Sequence, residues 1–442
     1  MSDKPRKFKG GVHPNDSKAL SAHKPIQEAP LLDSYKVIMH QNIGAPPELL
    51  VKKGDEVKKG TLLAKAGGFV SVPLHSPTSG TIKMIDKVPG PTGISVPCIE
   101  IAADGEDEWD SPFEPITDWK TTDPVELRQR VWDAGVVGMG GAAFPSHVKL
   151  SPPDDKKIDM LILNGAECEP YLTADHRLML ENAKEVVIGG SILARILGLE
   201  SCVIGVENNK PDAVEMLKKA AANHSVHVQD LPVNYPQGAE KQLIYAITGR
   251  EVPVGALPMD IGCVVQNVAS AAAVYEAVVN GRPSIDRITT VTGKPLVDPG
   301  NWKFRIGTPI SKALELAGGI TEQPAKLLLG GPMMGIAQSS LDVTTMKNTS
   351  GILLIAQDEV SQYTSEPCIR CGRCVDCCPM QILPATISQA VENHRFDWAE
   401  QLNVMACIEC GSCSYSCPSH RPLNQQFKRA KVEIRAGLRK KG

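Results

Sequence analysis

Two cysteine runs near the C-terminus have the residue type and spacing for electron chemistry: CIRCGRCVDCCP, from Cys368 to Pro379, and CIECGSCSYSCP, from Cys407 to Pro418. The pattern C-x2-C-x2-C-x3-C-P puts three thiolates on one loop to hold a 4Fe-4S cube, while the fourth reaches across to a second cube. Structural zinc usually takes two ligands from each of two separated knuckles, so this dense spacing, occurring twice, favours iron and sulfur. The second run supplies Cys407, Cys410, Cys413 and Cys417. The same spacing on the first selects Cys368, Cys371, Cys374 and Cys378, leaving Cys377 over. With the crossover, Cys368, Cys371, Cys374 and Cys417 serve one cluster, and Cys407, Cys410, Cys413 and Cys378 the other. Two such cubes conduct electrons singly, so another part of the chain must supply or accept them.

A glycine-rich loop is the next candidate. GMGGAAFP, residues 138–145, follows a helix rather than a strand, which is the wrong context for a dinucleotide-binding turn. Its backbone can still lie flat against a planar or phosphorylated ligand, with Lys149 in reach of a phosphate; tight packing is the plainer alternative. NGAECEP, residues 164–170, sits just past the C-terminal end of an expected strand 159–164, where α/β sheets place ligands. Glu207 and Lys210 in GVENNKP are either near this site or on a surface turn.

The elements that must position these residues change character along the chain. Residues 36–101 alternate strand-sized apolar runs with Gly and Pro, which indicates a small all-β unit. VKKGDEVKKGTLLAKAGGFVSVPLHSPTSGTI resembles the lipoyl and biotinyl carrier fold, but Gly67, Gly68 and Phe69 stand where a carrier presents its lysine. A structural or docking module is expected, not a swinging arm. Asp123 and Pro124 then start a helix that Gly135 stops. Strand, helix and strand alternate through 159–164, 175–197, 202–207, 211–223 and 226–232, the mark of a parallel sheet. Residues 285–356 return to short strands with a helix at 310–318, and the cysteine region is helical. The expected fold is therefore multidomain α/β. Residues 1–103 are an N-terminal segment and barrel-sandwich hybrid, 104–123 an acidic linker, and 124–284 a Rossmann-like α/β domain. A small β-grasp-like domain spans 285–357 and a helical dicluster ferredoxin domain 358–442.

Composition sets limits on function. A net charge of −3 gives no reason to expect nucleic acid. The N-terminus has no apolar core of a signal peptide, and no run reaches the roughly eighteen apolar residues of a membrane span. Nine of the thirteen cysteines lie in the two runs, a metal-ligand pattern of a reducing compartment. Cys98, Cys202 and Cys263 read as small buried hydrophobes.

GMGGAAFPSHVK, NGAECEPY, GVENNKPDA, YPQGAEKQLIYAITGREVP and VVQNVASAAAVYEAV resemble, in order, the flavin-binding segments of the NADH-oxidising subunit of respiratory complex I. With FKGGVHPNDSKALSAHKPI, the sandwich and the cysteine runs, essentially the whole chain resembles the RnfC family, the C-subunits of Rnf electron transport complexes. The resemblance implies FMN held by Gly138, Gly140, Gly141, Lys149, Asn164 and Glu167, with further contacts from Gly238, Glu240, Gln266 and Asn267. It puts Phe144 and Glu169 at the nicotinamide nucleotide, where NAD(H) is substrate. Met139, Ala166 and Gln266 depart from the complex I pattern of Arg, an acid and Asn. The implied role is electron exchange between ferredoxin and NAD coupled to ion movement, on the cytoplasmic face of a membrane. The implied partners are membrane-integral and ferredoxin-like subunits, with ferredoxin itself reached indirectly. Two alternatives are a cobalamin-reducing flavoprotein, which lacks the N-terminal segment and sandwich, and a non-enzymatic electron adaptor with an empty flavin pocket.

Overall fold

A computed structural model describes residues 5–360 and 366–439. Parts of the expected first and last domains, residues 1–4, 361–365 and 440–442, lie outside the described residues, the latter including the end of the basic C-terminal stretch. The fold has the four expected modules. In the sandwich, Ser34–Ile38, Ser95–Ala103, Gly80–Pro89 and Glu56–Val57 form one sheet, and Glu48–Leu49, Leu62–Lys65 and Leu74–His75 the other. Tyr35, Val37, Leu63, Ile82, Ile99 and Ile101 fill the space between them.

The α/β module is built on four parallel strands in the order Val226–Leu231, Cys202–Glu207, Met160–Asn164, Cys263–Asn267. Apolar side chains cover both of its faces, as a parallel sheet requires. The helix Pro124–Asp133 begins where Asp123 accepts the Val125 amide at 2.7 Å. It ends before Gly135, whose φ of +68° lies in the left-handed region. The expected helix over 175–197 is two helices, Ala174–Glu181 and Ala183–Ile196, because Asn182 adopts φ −123°, ψ 35° between them.

The third module is a six-stranded sheet with the helix Ile310–Leu316. Its edge strand, Ile26–Glu28, comes from the N-terminal segment and pairs in parallel with Gly300–Arg305. The residues before that strand form an arm across the other modules. Arg6 N–H donates to Ala246 O at 2.9 Å, Gly11 N–H to Cys377 O at 2.9 Å, and Val12 pairs with Tyr235. The acidic stretch after the sandwich is not a free linker: Asp107 pairs with Arg305 and Lys59, and Lys59 N–H donates to Glu108 O at 2.8 Å.

Lys347 joins three modules. Fully buried, it donates from Nζ to Gly135 O at 2.6 Å and Pro73 O at 3.3 Å, and its amide to Gln41 at 3.0 Å. The sandwich tip also docks. His147 Nε2 lies 2.7 Å from Phe69 O, its ring stacks on Trp132 at 4.4 Å, and Ile43 N–H donates to Ala143 O at 3.2 Å. Burial pushes His147 down to about 4, so the ring is neutral and Nε2 carries its proton for Phe69 O. The tip that a carrier would swing is here packed beside the glycine-rich loop.

Candidate cofactor and cluster sites

The strand order dictates where a ligand can enter. From Met160–Asn164 the chain moves outward through Cys202–Glu207 to Val226–Leu231, then returns to place Cys263–Asn267 on the other side. The order thus reverses between Met160–Asn164 and Cys263–Asn267, and crevices at such reversals hold ligands beyond the strands' C-terminal ends. Asn164 and Asn267 are register partners at that end. Asn267 accepts the Ala269 amide at 2.8 Å as a helix N-cap, and donates to Asp175 at 2.7 Å and Asn164 O at 3.3 Å.

The glycine-rich loop arrives at this crevice from the helix Pro124–Asp133. Met139 N–H donates to Ser270 Oγ at 2.9 Å, and Arg287 donates to Met139 O at 3.2 Å. A Cβ on Gly140 would stand 3.3 Å from Asn267, so a side chain there must push against the crevice. Gly141 has φ +144° and open space around it. Gly138 N–H donates to Phe144 O at 2.8 Å, which closes the loop and places half-buried Phe144 at its end.

NGAECEP is held from behind by two buried lysines. Lys18, from the N-terminal arm, donates to Glu167 O and Glu169 O, each at 3.0 Å, and to Leu172 O. Lys210 donates to Ala166 O at 2.7 Å and Glu207 at 3.3 Å, with its side chain 1% exposed. Lys210 and Glu207 thus belong behind the site rather than on a surface turn. Glu167 accepts the Asp175 and His176 amides at 2.6 and 3.2 Å, fixing the loop to the first turn of Ala174–Glu181. Glu169 accepts the amides of Met333 and Met334 at 3.0 and 2.8 Å. Burial pushes Glu169 up to about 7 against the pull of those amides. Lys18 and Arg287 are absent from the residues picked out in the sequence; their partners are far away in the chain, and only the FKGGVHPNDSKAL resemblance hinted at Lys18.

The remaining residues complete one wall. Lys149 Nζ lies 2.8 Å from Glu240 and donates to Val265 O at 3.0 Å. Asn164 donates to Gly238 O at 2.8 Å, and a Cβ on Gly238 would lie 3.1 Å from Cys168 Sγ. Gln266 and Gln237 are buried, yet Gln266 Nε2 and both polar atoms of Gln237 have no hydrogen-bond partner among the described residues. Buried amides left unpaired beside a glycine cradle fit a planar ligand with a polar edge, which is the chemistry of a flavin.

The thiols separate into two groups. Cys378, Cys407, Cys410 and Cys413 line one cavity, and Cys368, Cys371, Cys374 and Cys417 line another of about 300 Å³. Each is the set that the crossover spacing names. Cys377 lines neither; its thiol lies 3.6 Å from Cys374 O. Among the described residues no three His, Cys, Asp or Glu side chains gather closely enough to hold a single metal ion. Each cavity is lined by four thiols, the number one cube takes, and a cube's corners keep thiolates further apart than one ion would.

Four family models match in chain order. They are the RnfC barrel sandwich hybrid domain over residues 6–106, the Nuo51 FMN-binding domain over 131–276, the SLBB domain over 288–337 and the 4Fe-4S dicluster domain over 361–428. The C-subunit of the proton-translocating ferredoxin:NAD(+) oxidoreductase complex of Clostridium ljungdahlii is 48% identical over 98% of this chain and 94% of its own. The C-subunit of the Na(+)-translocating ferredoxin:NAD(+) oxidoreductase complex of Acetobacterium woodii is 44% identical over 100% of both. Among solved structures, an NAD+-reducing NiFe hydrogenase in the H2-reduced state covers 74% of this chain and 69% of its own, with TM-score 0.50 and 17% identity, a likeness of fold.

Proposed function

The chain belongs to the RnfC family, the C-subunits of ion-translocating ferredoxin:NAD(+) oxidoreductase complexes, and on that premise we propose that it is where NAD(H) meets the complex's iron-sulfur chain. Its cofactors are FMN, in the α/β domain, and two 4Fe-4S clusters at the C-terminus. Bound FMN converts between a two-electron hydride and single electrons, and the cubes carry those electrons one at a time.

The protein's own residues then hold and orient. In this reading Gly138, Gly140 and Gly141 let the backbone lie against the flavin. Lys149, Asn164, Glu167, Gly238, Glu240, Gln266 and Asn267 surround it. Phe144 and Glu169 serve the nicotinamide nucleotide. Glu169 can do so while held by two amides, because a carboxylate has about four acceptor positions and two remain. Cys378, Cys407, Cys410 and Cys413 hold the inner cluster, and Cys368, Cys371, Cys374 and Cys417 the outer one. The observation that carries the reading is the convergence of these segments at the point where strand order reverses. The sandwich over residues 6–106 weighs against the cobalamin-reducing alternative, which lacks it.

No helix among the described residues is long and apolar enough to cross a membrane. We place the chain at the cytoplasmic face, held there by membrane-integral and ferredoxin-like subunits of the same complex. Anaerobic purification with iron, sulfide and flavin analysis, followed by NADH titration, tests the whole reading. About eight irons per chain, one releasable flavin, and NADH bleaching of the flavin before the clusters are expected. Clusters without flavin would leave the adaptor alternative standing.

A further inference from the structure

Tyr235, 2% exposed, lies in the same apolar cluster as thiols of the inner cavity, against which Cys168 of NGAECEP packs. The N-terminal arm pins it from behind: Val12 N–H donates to Tyr235 O at 2.8 Å, and Tyr235 N–H to Val12 O at 2.9 Å. Its hydroxyl donates to Cys410 O at 2.7 Å. Its ring belongs to the apolar cluster that contains Cys378, Cys410 and Cys413, with Cys168 packed against it.

A second strut runs beside it. Met333 gives its amide to Glu169, and its carbonyl lies 2.9 Å from where a Cβ on Gly411 would sit, next in sequence to Cys410. The Met333 strut runs from Glu169 of NGAECEP to Gly411, beside the Cys410 that the Tyr235 hydroxyl holds. The outer run differs: a Cβ on the equivalent Gly372 would meet no atom of the described residues within 4 Å.

We propose that Tyr235 is a positioning residue for electron exchange between the flavin site and the inner cluster, fixing the Cys410 segment against NGAECEP through its hydroxyl. This rests on the reading in which Cys410 ligates the inner cluster and NGAECEP flanks the flavin. In the net exchange NADH gives up a hydride and becomes NAD+, each of two clusters gains one electron, and one proton is released. Tyr235 is neither oxidised nor reduced. Without its hydroxyl, Cys410 O loses a partner in an apolar setting and the cluster loses a nearby oriented dipole, one of the factors that set its potential.

The test compares Tyr235→Phe, Tyr235→Leu and wild type in the full chain, purified anaerobically. Tyr235→Phe keeps the ring and should keep iron, sulfide and flavin at wild-type content. NADH should reduce the flavin at the wild-type rate. Reduction of the inner cluster after NADH mixing, followed by freeze-quench paramagnetic resonance, should slow by about three- to tenfold, the worth of one neutral hydrogen bond. Tyr235→Leu should slow it further. Chemically reduced Tyr235→Phe should show a more negative midpoint for the inner cluster and an unchanged one for the outer. A wild-type midpoint with a wild-type handover rate overturns the proposal, as does slowed flavin reduction, which would assign Tyr235 to the nicotinamide. A wild type without flavin fails the functional reading and takes the proposal with it.

Discussion

The two cysteine runs share a backbone and differ in what surrounds it. Arg370 and Glu409 occupy the same place in their loops and have φ of 56° and 59°; Gly372 and Gly411 follow, both at +79°. At the first run the turn is open: Cys371 and Arg370 are exposed. At the second, Cys410 and Cys413 are buried, Gly411 meets the Met333 carbonyl, and Glu409 is tied to Lys431 at 2.7 Å. One loop geometry has been placed in two environments, one turned toward the flavin crevice and one toward solvent. In the proposed reading the difference gives the pair a direction, the buried run exchanging with the flavin and the exposed run with another subunit.

Removing ligands should break the comparison most severely. Cys378→Ser should cost the inner cluster and with it the NADH-driven reduction of the outer one, while Cys377→Ser should retain about eight irons. Equal iron loss in both would show that the spacing argument picked the wrong cysteine. Cys371→Ser should remove the outer cluster alone, leaving the inner one reducible by NADH.

Gly140→Val acts upstream of both runs. Its side chain would press on Asn267, so flavin and NADH reduction should fall together while chemical reduction of both clusters stays intact. Full flavin retention would move the site elsewhere.

Glu169→Ala should raise KM for NADH by about ten- to a hundredfold, from roughly 1.5–3 kcal/mol of lost charge-assisted bonding, with FMN still bound. Loss of flavin as well would transfer Glu169 to the flavin shell. Its pH dependence sharpens the point. With the carboxyl held up to about 7, the proton leaves as pH rises through that value, so affinity for NADH should improve there in the wild type and stay flat in Glu169→Gln.

The smallest effect separates the twin glycines. Gly372→Ala and Gly411→Ala each force a side chain into the left-handed region at about 1–2 kcal/mol. Only Gly411→Ala must also displace the Met333 carbonyl, so its denaturant midpoint for iron release should be the lower of the two. Equal midpoints would mean that the two environments are energetically alike.

Local pattern carried much of this architecture. The cysteine spacing, the Asp123-Pro124 helix start and the buried strand Cys202–Glu207 are all written in neighbouring residues. What pattern could not carry is pairing over distance. Lys18 meets Glu167 across 149 positions and Tyr235 meets Cys410 across 175, and neither residue stands out from its neighbours. The acidic stretch after the sandwich reads as a linker because its charges are visible and its partner Arg305, 198 positions away from Asp107, is not. The break at Asn182 hides for another reason: the apolar period continues through it, and only the backbone angles show the interruption.

The N-terminal arm has a consequence for biosynthesis. Residues 6–12 leave the ribosome before any other described part except residue 5, yet their partners include Ala246, Tyr235 and Cys377, the last made more than three hundred and fifty residues later. The arm can therefore complete its contacts only after the cysteine region has been synthesised and folded. A chain starved of iron during expression should leave its arm open to protease near Gly10 and Gly11, whereas iron-replete protein should resist cleavage there.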